Sequence, residues 1–302
     1  MKYTSTGALA IVLAAILWSL DGLLRRSLYS LPPMTIVLWE HLLGFVLLLP
    51  FLFFQRQKFT ELTKKQWYSI AFVSLLSGVL GTFFYTSGLL KIQFISFSIV
   101  VLLQQLQPIF AILAARILLK EPLTKKFLWL AVVAIIAAYF VSFPQLTVNA
   151  SNDKNTLFAA LFALLAAASW SISTAFSKYS LKNTSSIIIT AVRFGFTPIF
   201  AFLFLIVFGQ HATIFSLQTS QWLTLAGITL TTGLGALALY YFGLQRIPAS
   251  RSTLLELAWP VSALFIGYFF LHERLTWTQW IGAIILVGTM ILVVKDMRSR
   301  TE

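Results

Sequence analysis

Two residues of opposite charge lie deep within long apolar stretches of this sequence. Glu256 is eight residues into the stretch 248–271, and Arg193 is eight residues into the stretch 185–208. An ionised side chain in hydrocarbon costs at least ~2.5–3.5 kcal/mol, so such residues indicate function by default. Either the two charges pair with each other, or Arg193 holds a carboxylate of a bound molecule and Glu256 is its resting partner.

Glu256 also precedes Pro260 by four residues. Because proline has no amide hydrogen, we expect the carbonyl of Glu256 to lack its helical donor. A carboxyl group beside an opened backbone predicts a polar binding position.

The composition identifies the elements that must position these charges. Of the 302 residues, 59% are hydrophobic and 10% are charged, and the mean hydropathy is +0.87. Soluble domains carry about 25% charged residues, so this is a polytopic membrane protein.

The net charge of +13 does not indicate nucleic-acid binding, because the basic residues form short tracts between apolar runs. The absence of cysteine excludes disulfides, thiolate catalysis and cysteine-ligated metals, and we expect no cofactor.

The apolar runs predict an all-α membrane protein. A bilayer core about 30 Å thick requires roughly 20 apolar residues per helix. This window predicts ten transmembrane helices, near residues 7–24, 34–54, 68–90, 94–118, 126–143, 157–178, 185–208, 222–244, 248–271 and 278–294. Five fall in a unit of residues 1–143 and five in a unit of residues 156–302, and the polar segment 144–155 links the two units.

The basic residues that flank the spans are distributed unequally. If both termini are inside, sixteen Lys and Arg residues lie on the inner side and five on the outer side, namely Arg25, Arg26, Lys91, Lys154 and Arg274. Cytoplasmic loops carry the excess of basic residues. We therefore expect both termini in the cytoplasm.

The two halves of the chain resemble each other. Four pairs of positions recur in the same order: Trp18 and Trp170, Tyr85 and Tyr240, Gln107 and Trp259, and Glu121 and Glu273. The offset is 155 residues for the tyrosines and 152 for the other pairs. Since each half has an odd number of spans, equivalent helices cross the membrane in opposite directions. Inverted repeats are typical of secondary transporters, which bind substrate near the midplane between the repeats.

The order of these features resembles the EamA-type branch of the drug/metabolite transporter superfamily. Each half has a Trp-Ser first helix, a proline in the fourth helix and a Glu-x-Leu-Thr turn before the fifth. The resemblance covers residues 7–294. It implies ten helices, export or exchange of small metabolites, and a central cavity lined by helices one to four and six to nine. We expect a bacterial cytoplasmic membrane as the location. The second-helix arginine common in such proteins is matched by Arg193, and His41 is at the equivalent position of the first half.

The repeat supplies further candidate residues. Gln104 is equivalent to Glu256, so we expect Glu40, His41 and Gln104 to form a second polar group near the outside. The candidate substrate-binding residues are Trp18, Trp170, Tyr85, Gln104, Gln107, Arg193, Tyr240, Glu256 and Trp259. The candidates for coupling or gating are Glu256, His41, Glu40 and Asp21. We expect Trp18 and Trp170 to face each other across the pseudo-twofold axis.

Three more acidic residues have local interpretations. Asp21 lies four residues before Arg25 and is expected to pair with it at helical spacing, as a structural or gating charge. Glu121 and Glu273 occupy equivalent turns and are predicted to be turn and capping residues.

The leading functional hypothesis is a secondary active transporter, an exporter or exchanger of small amphipathic metabolites such as amino acids. Import of a nucleoside-like or sugar-like compound is the alternative. No Walker A, His-Glu-x-x-His or Gly-x-Ser-x-Gly motif occurs, which argues against ATP as the energy source and against an intramembrane enzyme. A membrane scaffold would leave Glu256 and Arg193 unexplained. The expected partners are a small molecule and the lipid bilayer, without nucleic acid, and a monomer is compatible with the sequence.

The orientation is tested by two single cysteines, Asn152→Cys in the linker and Ser299→Cys near the C-terminus. On intact cells an impermeant thiol reagent should label the first and spare the second, because only the linker faces outward. Labelling of Ser299→Cys alone would reverse the orientation.

Overall fold

The computed structural model describes residues 2–28, 30–89, 103–104, 106–143, 154–272 and 274–299. Within these ranges the secondary structure is helical, without strands. Lys91, Glu273 and linker residues 144–153 lie outside the described residues.

In the described residues ten longer helical elements follow the order of the predicted spans, and short helices lie between them at Arg25–Leu28, Arg56–Thr60 and His211–Phe215. The first half contains α1 (Lys2–Leu24), α2 (Pro33–Phe54), α3 (Lys64–Val73, Ser74–Gly81 and Thr82–Leu89), α4 (Gln107–Leu118) and α5 (Lys125–Ser142). The second half contains α6 (Lys154–Ser180), α7 (Ser186–Val207), α8 (Thr219–Ile228, Thr229–Gly233 and Leu234–Arg246), α9 (Ala249–Leu255 and Ala258–Leu271) and α10 (Trp277–Arg298).

These elements have the length and composition of membrane helices. Eight helices in the described ranges are long and apolar enough to cross a bilayer, and Ser5–Asp21 and Gln107–Leu118 are shorter apolar helices. The prediction of an all-α membrane protein is therefore confirmed. For the predicted fourth span, 94–118, the structure describes residues 103–104 and 106–118.

The Glu-x-Leu-Thr turns start the fifth helix of each half. The hydroxyl of Thr124 accepts the amide of Phe127 at 3.3 Å, and that of Thr276 accepts the amide of Gln279 at 3.4 Å. A threonine at this position satisfies a backbone donor that has no partner within the helix. The threonine of the repeated motif therefore has a structural role at both sites.

The third helix of each half contains a π-helical segment. Ser74–Gly81 in α3 and Thr229–Gly233 in α8 begin 155 residues apart, the same offset as Tyr85 and Tyr240. π-Helical segments often occur at functional sites. The hydropathy pattern contains no signal for them.

The two halves are packed crosswise. Helix α1 packs against α8 and α6 against α3, while α2 packs against α7 and α5 against α10. Gly7 of α1 lies against Ile247, and Asp296 of α10 pairs with Arg251, so α1 begins and α10 ends at the turn between α8 and α9. We call this the terminal end, and the opposite end, where α5 finishes, the linker end.

Close contact between α2 and α7 depends on small residues. A Cβ atom at Gly44 would overlap the ring of Phe194, which is buried. Overpacking of a buried contact costs about 1–3 kcal/mol. We expect Gly44→Ala to lower the melting temperature of the purified protein. Gly288→Ala is the matched control, because nothing lies within 4 Å of its Cβ position. Equal melting temperatures for the two variants would contradict the packing argument.

Candidate functional site

Two aromatic pairs join the halves at equivalent positions. The ring centroids of Trp18 and Tyr240 are 5.1 Å apart with an interplanar angle of 53°, and those of Trp170 and Tyr85 are 5.4 Å apart at 52°. Each pair connects the first helix of one half to the third helix of the other. No ring contact joins the two tryptophans among the described residues, and each packs against a tyrosine of the other half.

Glu256 lies at a break in α9. Helical segments end at Leu255 and resume at Ala258. The carbonyl of Glu256 accepts the amide of Trp259 at 2.9 Å, so the prediction that this carbonyl lacks a donor is wrong. The backbone forms a tighter turn at this point. The amide of Trp259, one residue before Pro260, donates to this carbonyl in place of the amide hydrogen that proline lacks.

The carboxylate of Glu256 has hydroxyl partners. Its Oε1 accepts the hydroxyl of Tyr240 at 2.9 Å and that of Ser252 at 3.5 Å. The Tyr240 oxygen is also 3.2 Å from Oγ1 of Thr174 on α6. The hydroxyl of Thr174 also lies 3.3 Å from the carbonyl of Trp170, to which it can donate. The acid is thus connected to the Trp18–Tyr240 pair.

Arg193 is held separately from Glu256. Its Nη1 donates to the hydroxyl of Tyr241 at 2.7 Å and its Nη2 to Oγ of Ser77 at 2.8 Å. No ion pair joins Arg193 to a carboxylate in the described part of the chain, and its buried Nε has no hydrogen-bond partner there. The predicted Glu256–Arg193 pair is wrong. The residues have similar depth, but they bind adjacent tyrosines, which project about 100° apart around α8.

A charged cluster occupies the linker end. Arg25 forms ion pairs with Asp21 and, at 2.6 Å, with Glu40. The hydroxyl of Thr232 donates to Asp21 at 2.7 Å. The predicted Asp21–Arg25 pair is confirmed, whereas Glu40, which is 5% exposed, is a partner that helical spacing did not reveal.

The predicted group of Glu40, His41 and Gln104 does not form among the described residues. The ring of His41 stacks on Phe194 with centroids 4.6 Å apart, and its Nδ1 is 3.0 Å from the carbonyl of Val37. Neighbouring positions on α2 project in different directions, so Glu40 reaches Arg25 while His41 faces α7.

In the part of the chain that the structure describes, Gln104 and Gln107 of the first half contact α6 and not the residues around Glu40 and His41. Gln104 donates to the carbonyl of Ala163 at 2.7 Å and accepts from Gln107 at 2.8 Å. The carbonyl of Gln107 accepts the hydroxyl of Ser171 at 2.9 Å. Trp259, the equivalent of Gln107, is 36% exposed and has no ring partner in the described ranges.

The π-helical segments supply site residues that sequence reasoning missed. Ser77 and Thr232 are 155 residues apart, and each contacts a charge of the other half, Arg193 and Asp21 respectively. The carbonyl of Ser77 also accepts the indole N–H of Trp170 at 3.1 Å. Ser77 and Thr232 have the same 155-residue offset as Tyr85 and Tyr240, and this offset is the sequence feature that could have identified them. Among the described residues no group of three His, Cys, Asp or Glu could hold a metal ion.

The sequence profile of the EamA-like transporter family matches the chain twice, at residues 5–143 and 157–295. Riboflavin transporter ImpX of Fusobacterium nucleatum subsp. nucleatum is 34% identical over 293 residues, which cover 96% of this chain and 97% of that protein. Uncharacterized transporter YoaV of Bacillus subtilis is 26% identical over 279 residues, or 92% of this chain and 93% of that one.

Two further matches are more distant or shorter. The S-adenosylmethionine uptake transporter of Rickettsia prowazekii is 29% identical over 147 residues, which cover 47% of this chain and 48% of that protein. A crystal structure with 18% identity superimposes with a TM-score of 0.79 and covers 99% of both chains. This likeness shows that the two proteins share a fold.

The separate partners of Glu256 and Arg193 lead to a thermodynamic prediction. Residues without contact or shared partners have additive effects on the free energy of unfolding, within about 0.5 kcal/mol. We expect Glu256→Gln and Arg193→Leu to be additive in the double variant, as measured by thermal melting in detergent. Glu256→Gln with Tyr240→Phe is the positive control, which should show coupling. Recovery of stability in the Glu256→Gln/Arg193→Leu variant would instead indicate a direct ion pair between the two residues.

Proposed function

This chain belongs to the EamA-like transporter family, and from that premise we propose that it is a secondary active transporter of a planar, amphipathic molecule of the riboflavin type. It is an integral membrane protein that transports small molecules, and it is not an enzyme. The proposal adds the substrate class, the residues that bind it and the way in which they are exposed.

The observation that carries the proposal is the pair of equivalent Trp–Tyr contacts. Aromatic side chains bind planar rings by offset or tilted stacking. Trp18 with Tyr240 and Trp170 with Tyr85 provide such surfaces from both halves. The riboflavin transporter that is 34% identical to this chain supports a planar heteroaromatic substrate.

Polar groups beside the aromatic pairs supply specificity. The carboxylate of Glu256 accepts hydrogen bonds, and Gln104 and Gln107 offer amide groups on the first half. A flavin presents ring N–H and carbonyl groups at one edge and hydroxyls on its side chain. Buried polar groups that match such an edge discriminate strongly against a molecule that lacks it.

The linker-end cluster is suited to act as a gate. Thr232 of the second half bonds to Asp21 of the first, and Arg25 fixes both Asp21 and Glu40. Opening this end requires separation of α1 from α8, which breaks the Thr232–Asp21 contact between the halves. We propose that the terminal end faces the cytoplasm, that Glu256 is the candidate for coupling, and that the gradients of substrate and coupling ion set the direction.

Arg193 supports a second candidate substrate. Its guanidinium binds two neutral hydroxyls, whereas a substrate carboxylate would bind it as a charged partner. An amphipathic amino acid with an aromatic side chain would use both Arg193 and the Trp–Tyr surfaces.

Transport by the purified protein in liposomes tests the proposal. We expect saturable uptake of labelled riboflavin, and Trp18→Ala or Trp170→Ala should reduce it about tenfold or more, because 1.4 kcal/mol of lost binding is a factor of ten. Trp129→Ala is the control, since this side chain is 70% exposed on the outside of α5. Saturable uptake of a labelled aromatic amino acid without riboflavin uptake would favour the second candidate. Equal loss in Trp18→Ala, Trp170→Ala and Trp129→Ala would contradict the assignment.

A further inference from the structure

A glutamate of the first half holds the start of α9 in the second half. Glu121 lies in the turn between α4 and α5 and is 9% exposed. Its Oε1 accepts the amide of Ala249 at 2.7 Å, and its Oε2 accepts the amide of Ser250 at 3.0 Å and the hydroxyl of Ser250 at 2.5 Å. Hydrogen bonds to a carboxylate are stronger than those between neutral groups. Glu121 is a capping residue as predicted, but it caps a helix of the other repeat.

A lysine holds the other side of the same turn. Nζ of Lys178 on α6 donates to the carbonyls of Leu244, Gln245 and Ile247 at 2.7, 3.0 and 2.9 Å. A cation at the end of α8 and an anion at the start of α9 both match the partial charges of these helix termini. We call Glu121 and Lys178 the turn clamp.

The segment that follows the clamp leads directly to the candidate site. Ala249–Leu255 is buried along its whole length, and at 1.5 Å per residue its seven residues extend about 10 Å. It ends at the break before Glu256, and the second segment of α9 resumes at Ala258. Its Ser252 is 3.5 Å from the carboxylate of Glu256.

We propose that the turn clamp is the gate at the terminal end of the transporter. While Glu121 is bound to Ala249 and Ser250, the segment Ala249–Leu255 lies between the terminal end and Glu256. Release of these bonds lets the segment tilt and exposes Glu256 from that side. The inference rests on the proposed function, because a gate presupposes a site reached alternately from two sides.

The carboxylate that caps this segment belongs to the other half of the chain, and this distinguishes a gate from an ordinary helix cap. Local N-caps come from the residue that precedes the helix, but that residue here is Pro248, which has no side-chain donor or acceptor. The required carboxylate comes from the other half, so movement between the halves breaks the cap. Arg251 of the same segment pairs with Asp296 of the second half at 3.7 Å. It also lies over the ring of Phe127 of the first half at 4.8 Å, and Asp296 pairs with Lys126 of the first half at 3.5 Å.

Thiol accessibility tests the gate without any substrate. The chain contains no cysteine, so Ser252→Cys provides a single reporter beside Glu256. The terminal side of a vesicle is defined as the side from which Ser299→Cys is labelled. We expect Glu121→Gln to raise the rate at which an impermeant thiol reagent, added from that side, modifies the reporter by about tenfold, because a weakened closed state increases the open population.

The control is Glu61→Gln, which removes an exposed carboxylate at the same end and should leave the rate unchanged. An unchanged rate in a Glu121→Gln variant that melts at a lower temperature would overturn the gate and leave a static cap. An equal increase in the labelling rate with Glu61→Gln would overturn the gate too.

If Glu121→Gln does not fold, Ser250→Ala provides the test, because it removes one of the three hydrogen bonds to Glu121 and should also raise the labelling rate. Failure of riboflavin transport would not alter these rates, so the two proposals fail separately.

Discussion

The crossed contact between the first helix of one half and the third helix of the other is the interaction on which the rest of this structure depends. Trp18 reaches Tyr240, and Trp170 reaches Tyr85, with nearly the same distance and angle. Neither half can complete an aromatic surface by itself. A relative movement of the halves therefore changes both surfaces together, and equivalent helices of the two halves carry equivalent contacts.

The apolar surroundings explain why the charged residues have such specific partners. An unpaired charge in hydrocarbon is costly, and the structure satisfies its charges in different ways. Arg25 forms ion pairs with two carboxylates at the linker end, while Arg193 and Glu256 are hydrogen-bonded to neutral groups. This ion-paired cluster, which joins α1 to α2 and contacts α8, is suited to closing a path. The two charges that lack an ionic partner among the described residues are suited to meeting a substrate or a proton.

The sequence was sufficient for the all-α membrane class, the repeat and the Asp21–Arg25 pair, because these depend on hydropathy, offset and local helical spacing. It was insufficient for the relation between Glu256 and Arg193. Counting residues along a span gives depth but not the direction in which a side chain projects, and Tyr240 and Tyr241 separate the two charges around α8. The bonds from Glu121 to Ala249 and Ser250 join residues that are far apart in the chain, so no local pattern indicates them.

Binding of riboflavin to the purified protein tests most directly whether the two equivalent aromatic pairs form one site. In equilibrium dialysis, the unmodified protein should bind riboflavin saturably, and Tyr85→Ala and Tyr240→Ala should each raise the Kd about tenfold, which corresponds to 1.4 kcal/mol. Tyr68→Ala, whose side chain is exposed on α3, should bind like the unmodified protein. Full affinity in both Tyr85→Ala and Tyr240→Ala would contradict the account.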